Sequence, residues 1–374
     1  MRTKVVYIIS NIDKALEFEW VAEYLNQERF ELSFILLNPM ANSHLARFVE
    51  SQGLGLKYIP YSGKKDLVFA FYKLYKYLKS LQPDVIHCHL PEATLLGLSI
   101  GKILGIKERI YTRHHSTFNH DYHPHAVKYD LWSNQWATKI IAITQNVADV
   151  LIEKEGVSSD KIQIINHSID IDRFTSVNSE RVETLKQKYG IRSEGPIIGV
   201  ISRYTEWKGI QYIIPAFKRI LEQYPKAQLV LANARKGEYV DQLDILLAEL
   251  PQESYIEIPF EKDLYALYQL FDVFVHTPID PYCEAFGQIY IESLAAKIPS
   301  VFTLSGVARD FVQHEKEALV VDFKSTEQIH EAILRLLKDP ELSEVLKENG
   351  FEVVDQNYRI ENKIDQLSKA FDGN

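Results

Sequence analysis

Short apolar runs that end in polar loops, each followed by an amphipathic helical pattern, recur along this chain, and the series starts afresh a little past its midpoint. Lys4 to Ser10 is a β-branched run opening onto the loop Ser10-Asn11-Ile12-Asp13-Lys14-Ala15, and a helical pattern with Leu16, Trp20, Ala22 and Leu25 follows. Phe34 to Leu37 and Asp84 to His87 read as further strands. After the polar stretch Thr175 to Ser193, a new buried strand runs from Pro196 to Ile201, then a helix from Ile210 to Tyr224 and strands at Gln228 to Ala232 and Val273 to His276. Such alternation specifies parallel sheets with crossover helices. Its restart predicts an α/β chain of two doubly wound, Rossmann-like domains facing across a cleft. The expected division is residues 1–180, residues 181–355, and a C-terminal helix in 356–374 that returns towards the first domain. A length of 374 residues suits two such domains.

Composition narrows the function classes. Lys and Arg number 42 against 51 Asp and Glu, a net charge of −9, which argues against a general nucleic-acid binder. No apolar run approaches the roughly 20 residues of a membrane-spanning helix. The N-terminus enters a strand after only Arg2 and Lys4, unlike a signal peptide. Cys88 and Cys283 are too few for a disulfide framework, which points to a reducing compartment, the cytoplasm.

Ligands of open α/β sheets sit beyond the carboxyl ends of the strands. Two such places carry chemistry. Ser202-Arg203-Tyr204-Thr205-Glu206-Trp207-Lys208-Gly209 follows a strand and opens a helix, so Arg203 and Lys208 bring two cations to a helix N-terminus that already favours anions. Taken alone, that loop reads more readily as two solvated charges. The second place runs from Glu284 through Ala285, Phe286, Gly287, Gln288 and Ile289 to Glu292. Gly287 is expected to begin a helix with core face Ile291, Leu294 and Ala295. Backbone N–H groups of Gly287, Gln288 and Ile289 could meet a phosphate or sugar oxygen. Glu284 and Glu292, on either side, are acceptors for sugar hydroxyls.

These stretches resemble the Glu-x7-Glu and Arg-x4-Lys-Gly elements of glycosyltransferase family 4, retaining enzymes of the GT-B fold. The resemblance extends through Asp84-Val85-Ile86-His87-Cys88-His89, Thr112-Arg113-His114, and Ile164-Ile165-Asn166-His167-Ser168-Ile169-Asp170 with Phe174. It implies that Arg203 and Lys208 bind the donor diphosphate, Glu284 the donor hexose and Glu292 the ribose, with His114 facing the sugar. Phe286, Gly287, Gln288 and Ile289 complete the implied donor site, and the implied catalytic set is His114, Glu284, Arg203 and Lys208. The implied reaction moves a hexosyl group from a nucleoside-diphosphate sugar, UDP-sugar before GDP-sugar, to a glycan or lipid-linked glycan.

The first βα loop lacks the glycine pair usual in that family. Asn11, Lys14, His89 and His115 are therefore the acceptor-side candidates, and a catalytically silent binder of a nucleotide sugar or glycan is the rival reading. No Gly-x-Gly-x-x-Gly follows a strand, which disfavours a nicotinamide-dependent dehydrogenase. His87, His89, His114, His115, His120, His123 and His125 match no zinc spacing, and Asp170-Ile171-Asp172 reads as a chance Asp-x-Asp, so no metal cofactor is expected. From Lys64 to Leu81, Leu67, Phe71, Leu74, Leu78 and Leu81 form a core stripe, and Phe69, Tyr72, Lys73, Lys76 and Lys79 lie opposite. That face suits peripheral contact with the inner face of the cell membrane.

Overall fold

The computed structural model describes residues 2–192 and 194–372, so the end of the polar stretch at Ser193 and residues 373–374 of the expected C-terminal segment lie outside the described residues. The chain divides into two compact units: residues 1–168 with 360–374, and residues 169–359.

Among the described residues the first unit has seven strands: β1 (Thr3–Ser10), β2 (Phe30–Asn38), β3 (Gly55–Pro60), β4 (Val85–His89), β5 (Glu108–Arg113), β6 (Lys139–Ala142) and β7 (Ile162–Ile164). They lie in the order β3-β2-β1-β4-β5-β6-β7, all pairs parallel. β1 and β4 are buried almost throughout, which is why their sequences are apolar at nearly every position rather than alternating. The helix Ile360–Phe371 belongs to this unit. Its Ile360, Ile364, Leu367, Ala370 and Phe371 join Val5, Tyr7, Phe30 and Phe34 in one core.

The second unit has β8 (Ile197–Ile201), β9 (Gln228–Ala232), β10 (Tyr255–Ile258), β11 (Val273–His276), β12 (Ser300–Phe302) and β13 (Leu319–Val320), ordered β10-β9-β8-β11-β12-β13 and again all parallel. Its core gathers Ile198, Val200, Ile213, Phe217, Leu231 and Val275 with Ile329 and Ile333.

The polar stretch from Thr175 is not a linker. It holds the helix Ser179–Tyr189, with Asn178 as N-cap accepting from the Glu180 N–H and Gly190 ending it at φ +66°. Only Leu185 of that helix is buried, so it carries almost no apolar periodicity. Ion pairs hold it within the second unit, Arg181 to Asp263 at 2.6 Å and Lys188 to Glu261 at 2.6 Å. The first crossing falls at 168/169, ahead of the 180/181 boundary expected from the restart of the pattern, and the return at 359/360 follows the expected 355/356.

Candidate active site

In the second unit, β8 and β11 are neighbours where the strand order reverses, the crevice in which open α/β sheets hold ligands. β8 runs into the Ser202–Gly209 loop, and Gly209 takes φ +76° before the helix Ile210–Gln223. A Cβ on Gly209 would lie 1.9 Å from the Thr277 carbonyl oxygen, so only glycine lets this loop touch the one leaving β11. β11 ends at His276, and its loop delivers Glu284 and then Gly287, at φ +79°, as N-cap of the helix Gln288–Ala295.

The two loops meet in a buried ion pair. The Lys208 ammonium contacts Glu284 Oε1, His276 Nε2 lies 3.1 Å from the same oxygen, and the Glu284 N–H donates to Ser305 Oγ at 3.1 Å. Burial alone would raise the Glu284 carboxyl; Lys208 and His276 outweigh it and bring it down to about 2. Glu292 has the opposite balance. Burial raises its carboxyl, and hydrogen bonds from Tyr268 Oη, at 2.9 Å, and Gln288 only moderate the rise. Arg203 is exposed at the start of the loop, Gln288 is exposed and Ile289 half-buried. Phe286 is buried with its ring edge-on to Tyr358, and its carbonyl accepts from the Val307 N–H. It is therefore a packing residue whose backbone shapes the loop, rather than a side chain presented to a ligand.

In the first unit, the carboxyl ends of β4 and β5 bring His89 and His114 together, His89 Nδ1 lying 3.1 Å from His114 Nε2. His114 stacks on His167, 5.6 Å between centroids and 12° between planes. His167 Nδ1 is 2.7 Å from Glu17, whose other oxygen accepts from Lys363 at 2.5 Å. Burial, reinforced by His167 and Lys363, pushes the His114 imidazole down to about 3, so it is neutral at ordinary pH.

His115 serves a separate network. Its Nε2 lies 3.3 Å from Asp130, which also pairs with the fully buried Arg113 at 3.1 Å; Glu155 binds Arg113 at 2.5 Å and His120 at 3.1 Å. His123 and His125 are exposed. The histidine crowd thus separates into different environments, and among the described residues no group of three or more His, Cys, Asp or Glu side chains is placed to hold a metal ion. Asp170 pairs with Arg173 and Asp172 with Arg359, so these aspartates serve structural ion pairs.

A cavity of about 210 Å³ opens beside His114 and His115, with Leu90, Thr94, Asn119 and Tyr129 in its wall. Asn11 lines a second, with Ile12, Asn38 and Met40. The glycine-free loop adopts a left-handed turn regardless. Asn11 takes φ +50°, which asparagine tolerates better than most residues, and the Asn38 side chain clamps Ile12 by accepting its N–H (2.9 Å) and donating to its carbonyl (2.6 Å). Lys14 is exposed on the same loop.

Residues 21–173 match the model of Glycosyltransferase Family 4, and residues 181–353 match that of Glycosyl transferases group 1. The chain belongs to glycosyltransferase family 4. This glycosyltransferase has the GT-B fold. It is 27% identical to the alpha-monoglucosyldiacylglycerol synthase of Acholeplasma laidlawii, over 73% of this chain and 71% of that protein. It is also 27% identical to a capsular polysaccharide biosynthesis glycosyltransferase of Staphylococcus aureus, over 61% of this chain and 58% of the other. Anabaena HepE, solved in complex with UDP-glucose, superposes with a TM-score of 0.82 at 18% identity, over 99% of this chain and 100% of its own.

Sequence reasoning singled out Glu284, Glu292, Lys208 and the histidines of the glycosyltransferase but not the groups they contact in the structure. His276 was legible only as a strand end, and Tyr268 as one aromatic among many. Glu17 and Lys363 are 346 residues apart, and nothing local to either announces the other.

Proposed function

We propose that this glycosyltransferase moves a hexosyl group, with retention of anomeric configuration, from a nucleoside-diphosphate sugar to a glycan or lipid-linked glycan. The observation that carries the reading is the Lys208–Glu284–His276 junction at the switch point of the second sheet, with Arg203 on the same loop and the helix Gln288–Ala295 starting beside it. Arg203, Lys208 and the first-turn N–H groups take the diphosphate. Glu284, ionised and oriented by its two partners, accepts from hexose hydroxyls, and Glu292 from the ribose.

Fixed cations and N–H groups stabilise a leaving diphosphate more as the glycosidic bond breaks than before it, which is what accelerates the step. Since the protein's own cations meet that charge, the reading needs no metal cofactor. No protein nucleophile is assigned: the donor phosphate can accept the acceptor's proton on the same face. The assignment of His114 to the transferred sugar rests on the family resemblance and on its neutral imidazole. The UDP-glucose held by HepE favours UDP over GDP.

A lipid-linked acceptor draws support from the synthase relative and from the helix Leu67–Leu81, where Val68, Phe69 and Tyr72 are exposed beside Lys73, Lys76 and Lys79. That face also supports a peripheral contact with the inner face of the cell membrane; no helix of the described residues is long and apolar enough to cross a membrane. The silent-binder reading drew on the missing glycines, and the left-handed Asn11 weakens that motive.

A thermal-shift screen of nucleotide sugars on wild type and Lys208→Ala tests the donor assignment. Stabilisation by one nucleotide series that is lost in the variant is expected. Folded wild type that responds to no sugar nucleotide would remove the donor site.

A further inference from the structure

Behind His114, in the interior of the first unit, lies a polar cavity unrelated to the donor loops. Tyr7, His87 and His89 line it, with Glu17 and Lys363. All three aromatic side chains are buried, at 2% exposure or less. Their rings are mutually in contact, His87 to His89 at 4.1 Å, Tyr7 to His87 at 4.7 Å and Tyr7 to His89 at 5.2 Å. Tyr7 Oη, His87 Nδ1 and His89 Nε2 have no hydrogen-bond partner among the described residues. The other polar groups there are already engaged: Glu17 by His167 and Lys363, and His87 Nε2 by Thr112 Oγ1 at 2.8 Å.

A buried orphan polar atom costs about 1–3 kcal/mol, so three on side chains that line one cavity point to something that satisfies them together. The cavity measures about 10 Å³, the room of one water and nothing larger. Both imidazoles are neutral, burial holding His87 at about 3 and His89 well below its ordinary value, so each ring carries one N–H and one lone pair. A water can donate to one and accept from another, whereas an anion would face lone pairs it cannot use.

We propose that Tyr7, His87 and His89 hold one internal water, and that this water is the inner end of a hydrogen-bonded relay through His89 to His114 that sets which ring nitrogen of His114 carries the proton. The logic is one of alternation. If the water donates to His89 Nε2, His89 must bear its proton on Nδ1 and donate to His114 Nε2, which leaves the His114 proton on Nδ1, the other ring nitrogen. If the water accepts from His89 Nε2, the pattern inverts. Tyr7, whose hydroxyl biases the water, and His89, which transmits the bias, are positioning residues. His114 also lines the 210 Å³ cavity, so the tautomer decides whether a substrate hydroxyl there meets a donor or an acceptor. That consequence rests on the proposed function; the water and the tautomer do not.

Selective 15N-histidine NMR of wild type and Tyr7→Phe, with the His114 resonances assigned from His114→Gln, tests the relay without any substrate. A single His114 tautomer in wild type that becomes a mixture in Tyr7→Phe is expected. An identical His114 tautomer in both proteins, or a mixture already in wild type, would overturn it. Should Tyr7→Phe not fold, a high-resolution crystal structure of wild type decides: an ordered water within hydrogen-bond distance of all three atoms supports the relay, and no density there refutes it. With a working donor, Tyr7→Phe is expected to lower kcat about tenfold while leaving the donor KM within twofold, and a matching fall when Tyr7→Phe is added to His114→Gln would count against transmission through His114. Failure of glycosyl transfer altogether would leave the NMR outcome standing, so the two readings fail separately.

Discussion

Lys208→Ala tests the central pair of the second unit most directly. In the wild type Glu284 is nearly excluded from water, its side chain 11% exposed, yet its carboxyl lies at about 2 where an isolated glutamate is near 4.5. At about 1.4 kcal/mol for each tenfold change in proton affinity, that difference is worth roughly 3 kcal/mol of folding stability, supplied by Lys208 and His276 against the opposing effect of burial. The sign follows from the lowered value: the contribution is fully present above the unfolded carboxyl's titration, near 4.5, and is lost as pH falls towards 2. Removing Lys208 leaves a buried carboxylate with His276 as its main remaining partner, and truncating one member of a buried pair typically costs about 3–5 kcal/mol. Lys208 retains some exposure, so a loss of about 2–3 kcal/mol at pH 7 is expected, read as a lowered urea midpoint for the transition reported by the second unit. In the variant, burial should raise the Glu284 carboxyl, so protonation relieves the defect. The gap between wild type and variant should therefore narrow as pH drops from 7 to 4. A variant as stable as wild type at pH 7, or a gap that is independent of pH, would refute the claim that Lys208 holds Glu284 ionised.

Three further outcomes follow from the same geometry. Tyr268→Phe removes the hydroxyl that moderates Glu292, and UDP affinity by calorimetry should weaken by about fivefold, a loss of ~1 kcal/mol; an unchanged Kd would detach Glu292 from the ribose. Gly209→Ala, with its Cβ against Thr277, should destabilise by more than about 2 kcal/mol, whereas Gly190→Ala, equally left-handed but with nothing within 4 Å, should lose only about 1 kcal/mol; equal thermal shifts would mean that backbone conformation, not the close approach of the two loops, requires glycine at 209. Neutralising Lys73, Lys76 and Lys79 together should sharply reduce flotation on anionic vesicles, at about 1 kcal/mol for each lysine near the surface, and undiminished flotation would dismiss the membrane face.

What could be read in the sequence was what is encoded locally. β8 and β11 are short apolar runs with a glycine or an acid a few residues beyond, and the loops they open are defined by adjacent residues, so Lys208 and Glu284 were visible before the sheet was. The helix Ser179–Tyr189 escaped because ion pairs rather than an apolar face hold it. The glycine-free turn was misleading for a related reason: Asn11 supplies the left-handed φ, and its support comes from Asn38 on the neighbouring strand, information that is absent from the loop itself. The His114 surroundings were harder still. Two histidines two residues apart on β4 are a pattern anyone can see, but the Glu17–Lys363 pair that neighbours them exists only once the chain has returned to the first unit.

That return constrains the order of events during synthesis. Residues 169–359 form a unit with its own sheet and core, so they can fold once residue 359 has left the ribosome. The first unit, although translated earlier, lacks Ile364, Leu367 and Phe371 until more than 190 further residues have been added, and until then the apolar surface around Tyr7 and Phe30 stays uncovered. The N-terminal half of the nascent protein is thus the part exposed to chaperones for longest, and a ribosome stalled just short of residue 360 would release a chain whose second unit is complete and whose first is not.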